Sequence, residues 1–187
     1  MRKVDKIFLG AIEVFAEKGF DRATMDEIAE QSGVAKGTLY YHFKSKEELI
    51  SFLIKKGMNL LIEQVKEKID NKTDPLLQIK SLIEAQLMFF DQNRNLCQIL
   101  LKGAWSDNCR EKQFRYLLQD YYGLIENILT RAEAMGKIRK SPIDWSSITL
   151  FGTTAMLALR FILDEKPMQH REMAEFLFQQ FYAGLKV

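Results

Sequence analysis

The chain has 187 residues, of which 47% are hydrophobic and 28% are charged, as in a soluble protein with a packed core. Its 27 Lys and Arg nearly balance its 25 Asp and Glu, so the net charge of +2 does not by itself indicate a nucleic-acid or membrane partner. The longest apolar run, 150–163, contains Arg160 and is shorter than the roughly 20 residues of a membrane span. Acidic residues interrupt the N-terminal segment, so we expect no secretory signal, no membrane partner and a cytoplasmic location.

The cysteines and histidines give no sign of a metal centre. Cys97 and Cys109 cannot form a disulfide framework and match no zinc-ligand spacing. His42 and His170 have no ligand-type neighbour at a metal-binding spacing, so we expect neither a metal nor a cofactor. Free cysteine is usually buried as a small hydrophobic residue, which is the favoured interpretation here. A thiol sensor at Cys109, which precedes Arg110, is the alternative.

Composition also predicts the secondary structure. The chain contains 23 Leu, 16 Ile and 8 Met but only 5 Val. Leu and Met are strong helix formers, whereas a sheet protein would carry more Val and Thr. All three prolines lie where helical patterns break. We therefore predict an all-α protein with about nine helices.

Three short helices are predicted in the first fifty residues. The first carries an apolar stripe at helical spacing and ends at Gly19. The second begins with the capping box Thr24–Glu27 and ends at Gly33, where a glycine permits a turn with positive φ. The third covers 34–43, and a second capping box, Ser45–Glu48, starts a fourth helix. Short helices with a glycine turn between the second and the third form a helix-turn-helix layout.

The turn and the third helix carry a local basic charge. Between Ser32 and Lys46 the chain has three lysines, one histidine and no acid, and Glu30 and Glu47 flank this segment. A basic tip on a nearly neutral molecule is the footprint expected of a surface that contacts phosphates.

The residues of this region resemble a known family. Four runs carry the likeness, with their order and spacing intact: FAEKGF at 15–20, ATMDEIA at 23–29, GVAKGTLYYHF at 33–43 and KSKEEL at 44–49. They are similar to the N-terminal block of the TetR family of bacterial transcriptional regulators. Beyond about residue 50 the similarity is only one of length and helix content.

The resemblance implies that the third helix enters the major groove of operator DNA and that a symmetric dimer binds two half-sites. Recognition helices of this kind meet base edges near their N-terminus, whereas phosphate contacts fix position without reading sequence. The predicted base-contacting residues are Lys36, Gly37 and Thr38. The predicted phosphate-contacting residues are Thr24, Tyr40, Tyr41, His42 and Lys46. A structural role remains an alternative to DNA contact for three of these residues. Thr24 is a helix cap before it is a DNA contact, and Tyr40 is as well explained as a packing residue. His42 is alternatively a solvated surface histidine.

We expect a helix-turn-helix DNA-binding domain at 1–47 and a larger helical ligand-binding and dimerisation domain at 48–187. The fourth helix is expected to reach Asp70, either as a lever that transmits ligand binding or as a plain scaffold. The remaining predicted helices cover about 75–91, 93–103, 111–135, 144–164 and 168–185.

The last two predicted helices are amphipathic and carry small residues where a second helix can approach closely. Two such helices suit a two-fold four-helix dimer interface, and the resemblance implies that arrangement. The predicted interface residues are Phe151, Gly152, Ala155, Leu159, Met173, Phe176, Leu177, Gln180 and Phe181. The alternative is that both helices only cover the core of one protomer.

The middle of the chain is rich in aromatic residues, and the resemblance implies an inducer pocket there. Most aromatic residues at helical spacing belong to an ordinary core. The residues expected to line a pocket are Phe90, Trp105 and Tyr121. Such a lining suits an apolar or aromatic compound that a few polar groups orient.

The sequence therefore predicts a dimeric TetR-like repressor that a small inducer releases from its operator. The alternative keeps the helix-turn-helix head but makes the C-terminal half a protein-interaction platform without an inducer. An enzyme is the least favoured class, because no nucleophile with its base, carboxylate pair or metal set is recognisable.

Overall fold

The computed structural model describes the backbone of residues 1–103 and 108–187, and the side chains of these residues except 100–103, 108–115 and 117. The described backbone contains nine α-helices and no β-strand, which confirms the predicted all-α fold. The helices are α1 (Lys3–Arg22), α2 (Met25–Gln31), α3 (Lys36–His42), α4 (Lys46–Ile69), α5 (Pro75–Gln92), α6 (Arg94–Gly103), α7 (Asn108–Ala134), α8 (Ile143–Leu163) and α9 (His170–Ala183).

The helix ends lie close to their predicted positions, and one difference has a clear local cause. The prediction places the end of the first helix at Gly19, and the regular helix is indeed interrupted there, although a further helical turn follows. Gly19 takes the non-helical angles φ 77° and ψ 167°, which kink the helix, and the chain then continues helically to Arg22. The positive φ predicted for the turn at Gly33 is confirmed at 60°.

The starts of α4 and α5 show how local polar groups define helix ends. Ser45 Oγ accepts a hydrogen bond from the Glu48 amide at 3.3 Å, as a capping box requires. The Glu48 carboxylate accepts from the Lys44 amide at 2.6 Å, one residue before the N-cap. At α5 the Asp74 carboxylate accepts from the Leu76 amide at 2.9 Å. The Glu48 and Leu76 amides lie in the first turns of their helices and have no partner there, so these contacts satisfy them.

The described chain divides into two compact units. The first comprises 1–57 and 95–115, and the second comprises 58–94 and 116–187. The first unit thus contains the beginning of α4 and most of α6 in addition to the helix-turn-helix. The expected functional division between 1–47 and 48–187 does not coincide with these packing units, and it stays a prediction.

In the first unit, α1 packs against α2, and α2 packs against α3. The fully buried apolar side chains of these helices include Ile7, Ala11, Ile28, Ala29 and Leu39. The closest approach is at Gly10, where a Cβ atom would lie 2.4 Å from Ser32 Oγ and 2.8 Å from the Ser32 backbone nitrogen. Only a glycine permits this contact between α1 and the end of α2. The apolar periodicity of α1 gives no sign of it.

In the second unit, α5 packs against both α8 and α9. The fully buried apolar residues of this core include Leu82, Ile83, Ala85, Leu87, Ile125, Leu129 and Ala158. Three polar residues are also completely buried: Gln86, Ser147 and Thr154. Because a buried polar group is costly without a hydrogen bond, the partners of these side chains decide whether the core is stable.

The surface of α8 is unusually apolar. Its mean hydropathy is 1.5 over an 18-residue window, of which 28% is buried, and its length and composition would suffice to cross a membrane. The expectation from 150–163 that no segment is long enough is therefore wrong, because the helix begins at Ile143 and few charges interrupt it. Helices of soluble proteins meet the same criterion, so length and composition do not place α8 in a bilayer. They do mark an exposed apolar surface of the kind that binds a partner.

We predict that Gly10→Ala destabilises the first unit by about 1–3 kcal/mol, because the added methyl group overpacks the contact with the Ser32 backbone. Gly37→Ala is the matched control, since a Cβ atom at Gly37 meets nothing within 4 Å. Urea unfolding followed by circular dichroism measures both. If the two variants had the same urea midpoint, the close contact between Gly10 and Ser32 would not be what excludes a larger residue at position 10.

Candidate DNA-binding surface and ligand-binding core

The third helix buries one apolar residue and presents polar side chains on its other side. Leu39 is fully buried, whereas Tyr40 is 45% and Tyr41 78% exposed. Of the residues predicted to contact DNA, the exposed ones are Thr24, Lys36, Gly37, Tyr40 and Tyr41, and the half-buried ones are Thr38, His42 and Lys46. All eight belong to the first compact unit. The arrangement offers an ammonium group and phenol hydroxyls to a partner, which is the chemistry that phosphates and base edges accept.

Lys36 is paired with an acid from the preceding helix. Its Nζ lies 2.5 Å from Asp26 Oδ2, and both side chains are more than half exposed. The hydrogen bond to this carboxylate, followed by its charge, raises the pKa of Lys36. The base-contacting lysine predicted from the sequence is therefore protonated at neutral pH and joins α3 to α2. The sequence analysis did not identify Asp26.

Thr24 and Glu27 form the predicted capping box. The Glu27 amide donates to Thr24 Oγ1 at 3.3 Å, and the Glu27 carboxylate accepts from the Thr24 amide at 2.9 Å. The same carboxylate lies 2.8 Å from Lys18 Nζ. Hydrogen bonds from Lys18 and then from Thr24 lower the pKa of Glu27 to about 2. Thr24 is thus a helix cap, as expected, and its contact with phosphate stays a prediction.

Lys46 connects the end of α1 to the start of α4. Its Nζ donates to the Phe20 carbonyl at 2.8 Å and to the Asp21 carbonyl at 3.1 Å. The ammonium also lies 4.9 Å from the centre of the Phe20 ring, a cation–π geometry. An ammonium group has three donors, so these two bonds leave one for a phosphate. The structure thereby gives Lys46 a role in packing that the charge pattern did not reveal.

The aromatic residues at the end of α3 contact one another, with Tyr41 and His42 edge to face and His42 and Phe43 tilted at 45°. The ring centres of Tyr41 and His42 are 5.2 Å apart, and those of His42 and Phe43 are 6.2 Å apart. Phe43 is buried, so His42 lies between an exposed and a buried ring. These contacts hold the imidazole of His42 at the edge of the basic tip.

The second unit contains a buried polar pair among aromatic rings. The Tyr121 hydroxyl donates to Gln86 Oε1 at 3.0 Å, and Gln86 Nε2 donates to the Phe151 carbonyl at 3.3 Å. The Tyr121 and Phe151 rings meet edge to face at 5.4 Å. Complete burial raises the pKa of Tyr121, so its hydroxyl stays protonated. The sequence analysis missed Gln86, although a glutamine within the apolar face of α5 was a recognisable signal.

The predicted ligand residues do not all come together. Tyr121 lies in the core, Phe90 is half-buried with its ring 6.2 Å from that of Phe89, and Trp105 lies outside the described residues. A surface pocket of about 450 Å³ in the second unit contains neither Phe90 nor Tyr121. Its lining residues are Lys68, Glu84, Met88, Gln169, His170, Arg171 and Glu172. That lining has charges of both signs and differs from the aromatic lining that the sequence predicts.

The predicted interface residues of α8 and α9 differ in exposure. Met173 and Leu177 are buried within the second unit. The half-buried or exposed ones are Phe151, Gly152, Ala155, Leu159, Phe176, Gln180 and Phe181. A Cβ atom at Gly152 would meet nothing within 4 Å. Further large apolar residues of α8 are more than half exposed, and they are Trp145, Ile148, Met156 and Leu163.

Cys97 is buried, and its burial raises the pKa of the thiol to about 12. A thiol with such a pKa remains protonated and unreactive at neutral pH, which agrees with a packing role. The side chain of Cys109 lies outside the described residues, so the alternative of a sensor at that position stays a prediction.

The fold and the exposed basic helix define a helix-turn-helix regulator, and comparisons with known proteins agree. Residues 7–51 match the family model of bacterial regulatory proteins of the tetR family, and residues 54–184 match that of the C-terminal region of YsiA-like proteins. The chain therefore belongs to the TetR family and is a DNA-binding transcriptional regulator.

Several relatives are named for fatty acid metabolism. The fatty acid metabolism regulator protein of Bacillus subtilis (strain 168) is 26% identical over 166 residues, which are 88% of this chain and 86% of that protein. Among solved structures, a candidate fatty acid metabolism regulator of Clostridium perfringens is 32% identical with a TM-score of 0.86, covering 97% of this chain and 99% of that one. The transcriptional regulator FadR from Bacillus subtilis, in complex with stearoyl-CoA, is 24% identical with a TM-score of 0.89, covering 97% and 98% of the two chains, and shows the same fold.

We predict that Lys46→Met lowers the stability of the first unit by about 1 kcal/mol, because the charged donors to the Phe20 and Asp21 carbonyls are lost while the apolar stem is kept. Lys44→Met is the matched control, since it removes the same charge and a single exposed contact to the Tyr40 carbonyl at 3.2 Å. Thermal unfolding by circular dichroism compares the two. A larger loss in the Lys44 variant would contradict the packing role of Lys46.

Proposed function

We propose that this regulator is a homodimeric repressor that binds operator DNA through α3 and is released by a long-chain acyl-CoA thioester. The observation that carries the proposal is the buried Gln86–Tyr121 pair in a largely apolar and aromatic core. An apolar core with a few convergent polar groups suits a ligand that has a long hydrocarbon chain and one carbonyl. The names of the relatives in fatty acid metabolism, and the stearoyl-CoA bound to one of them, support the same ligand class.

The DNA-binding part of the proposal assigns roles along the exposed surface of the head. Lys36 donates to guanine, the Thr38 methyl group contacts thymine, and Gly37 lets the backbone come close. Phosphates receive donors from Tyr40, Tyr41, His42 and Lys46, and from the Thr24 end of α2. The exposure of Lys36, Gly37 and Tyr41 supports this assignment. Neither an enzymatic activity nor a membrane location is part of the proposal, and the protein acts in the cytoplasm beside its DNA.

The dimer part of the proposal rests on the exposed apolar surface of α8 and α9. Phe176 is 58% exposed on α9. On α8, Gly152 has open space around it and Met156 is 64% exposed. Pairing α8 and α9 with their copies in a second protomer would bury this surface in a four-helix interface. A two-fold dimer would also present two α3 helices to two half-sites.

The ligand part of the proposal uses the hydrogen bonds of the polar pair. Gln86 donates one of its two amide hydrogens to the Phe151 carbonyl. The Tyr121 hydroxyl is a donor that can turn from Gln86 Oε1 to the oxygen of a thioester. By linkage, a ligand that lowers the affinity for DNA must have its own affinity for the protein lowered by bound DNA, by the same factor. The second candidate function, a protein-interaction platform without an inducer, is favoured only by the apolar surface of α8.

We predict that Phe176→Glu converts the protein to a monomer and weakens its DNA binding at least tenfold, because a charge replaces an apolar residue at the proposed interface. Leu77→Glu is the matched control, since Leu77 is 54% exposed on α5 and lies outside that interface. Sedimentation velocity gives the oligomeric state, and fluorescence anisotropy with a duplex selected from a randomised pool gives the affinity. The proposal would be refuted if the wild type were a monomer and did not bind duplex DNA in 50 mM salt.

We predict that stearoyl-CoA raises the melting temperature and releases the selected duplex, whereas acetyl-CoA does neither, since only the long chain fills an apolar core. Gln86→Leu should weaken stearoyl-CoA binding about tenfold, the value of one buried hydrogen bond. Thr154→Val is the control, because the buried Thr154 hydroxyl donates within α8 to the Leu150 carbonyl. Absence of a saturable shift with any acyl-CoA would favour the interaction platform.

A further inference from the structure

Two neighbouring acids in the first turn of α2 have different partners. Glu27 closes the capping box and pairs with Lys18 of α1. Asp26 instead reaches forward to Lys36, the first residue of α3, with Nζ and Oδ2 2.5 Å apart. The Asp26–Lys36 pair therefore bridges the two helices of the helix-turn-helix, and 53% of the Asp26 side chain is exposed beside the proposed base-contacting residue.

Such a carboxylate has opposite effects on the two kinds of DNA contact. A DNA phosphate competes with the Asp26 carboxylate for the Lys36 ammonium, and the two negative groups repel each other. A contact between Lys36 and the DNA backbone therefore requires that the ion pair be broken. A guanine edge presents neutral acceptors, and Lys36 has three donors, so it can keep Asp26 and still donate to guanine.

We propose that Asp26 is a specificity-determining residue, which holds Lys36 for a base edge and disfavours its use as a phosphate contact on DNA of any sequence. The inference rests on the proposed DNA-binding role of α3. It explains why an acid lies beside the basic tip, where simple electrostatic attraction to DNA would disfavour one. In this assignment Asp26 acts through Lys36, as a positioning residue.

The chain supplies a matched control. Glu30 lies one turn after Asp26 on α2 and is exposed. Its charge, without a hydrogen bond, contributes to raising the pKa of Lys36. Glu30→Gln therefore removes the same charge from the same helix but leaves the ion pair intact. Asp26→Glu keeps the charge and tests whether a carboxylate at this position is sufficient.

The experiment measures the affinity for a 30-base-pair duplex of random sequence between 50 and 200 mM KCl by fluorescence anisotropy. We expect Asp26→Asn to bind about three- to tenfold more tightly at 100 mM. Its slope of log K against log salt should be steeper by about 0.9, the value of one added phosphate contact. Glu30→Gln should change affinity less than twofold with the slope of the wild type, and Asp26→Glu should also keep that slope.

A second measurement separates positioning from a general change of charge. The double variant Lys36→Met, Asp26→Asn should have the same salt slope as Lys36→Met alone, because there is no ammonium for the loss of Asp26 to release. Selection from a randomised duplex pool should show that Asp26→Asn loses the base preference at one or two positions per half-site, while Glu30→Gln keeps it. Circular dichroism melting confirms that each variant is folded.

Equal slopes for Asp26→Asn and Glu30→Gln would overturn the inference, and so would a steeper slope that persists without Lys36. Either result leaves the proposed DNA-binding function intact, because the wild type still binds. A wild type that does not bind the duplex at 50 mM KCl would overturn both the inference and the function on which it rests.

Discussion

The contact between Gly10 and Ser32 governs the geometry of the DNA-binding head. It lets the backbone of α1 approach the end of α2, immediately before the turn at Gly33 that directs the chain into α3. Close-packed interiors transmit a displacement to neighbouring elements instead of absorbing it. The orientation of α3 therefore depends on the absence of a side chain at Gly10, on a helix two elements earlier in the chain.

The three lysines of the basic tip are already bound to acceptors of the protein. Lys36 pairs with Asp26, Lys44 donates to the Tyr40 carbonyl, and Lys46 donates to two carbonyls at the end of α1. Holding long side chains in place reduces the conformational entropy that is lost when they bind. The basic tip thus consists of hydrogen-bond donors in fixed positions. The position of each donor limits which oxygen or nitrogen of DNA it can bind.

Sequence reasoning succeeded where the signal is local. The capping box of α2, the turn at Gly33 and the nine helices follow from caps, glycines and periodicity, which act over a few residues. It failed for pairs that only packing brings together. Gln86 and Tyr121 are 35 residues apart, and Lys46 and Phe20 are 26 apart. Periodicity describes one helix at a time and cannot select such partners.

The second unit departs twice from the usual distribution of polarity. Its core encloses Gln86 and the Tyr121 hydroxyl, while its surface exposes apolar residues of α8 such as Trp145 and Met156. A purely apolar core would be at least as stable as one with a hydrogen-bonded polar pair, and an exposed apolar helix promotes association. Stability of an isolated protomer explains neither feature. The two partners proposed above would account for both features: the ligand would bring its polar group to the buried Gln86–Tyr121 pair, and a second copy of the chain would cover the exposed apolar residues of α8.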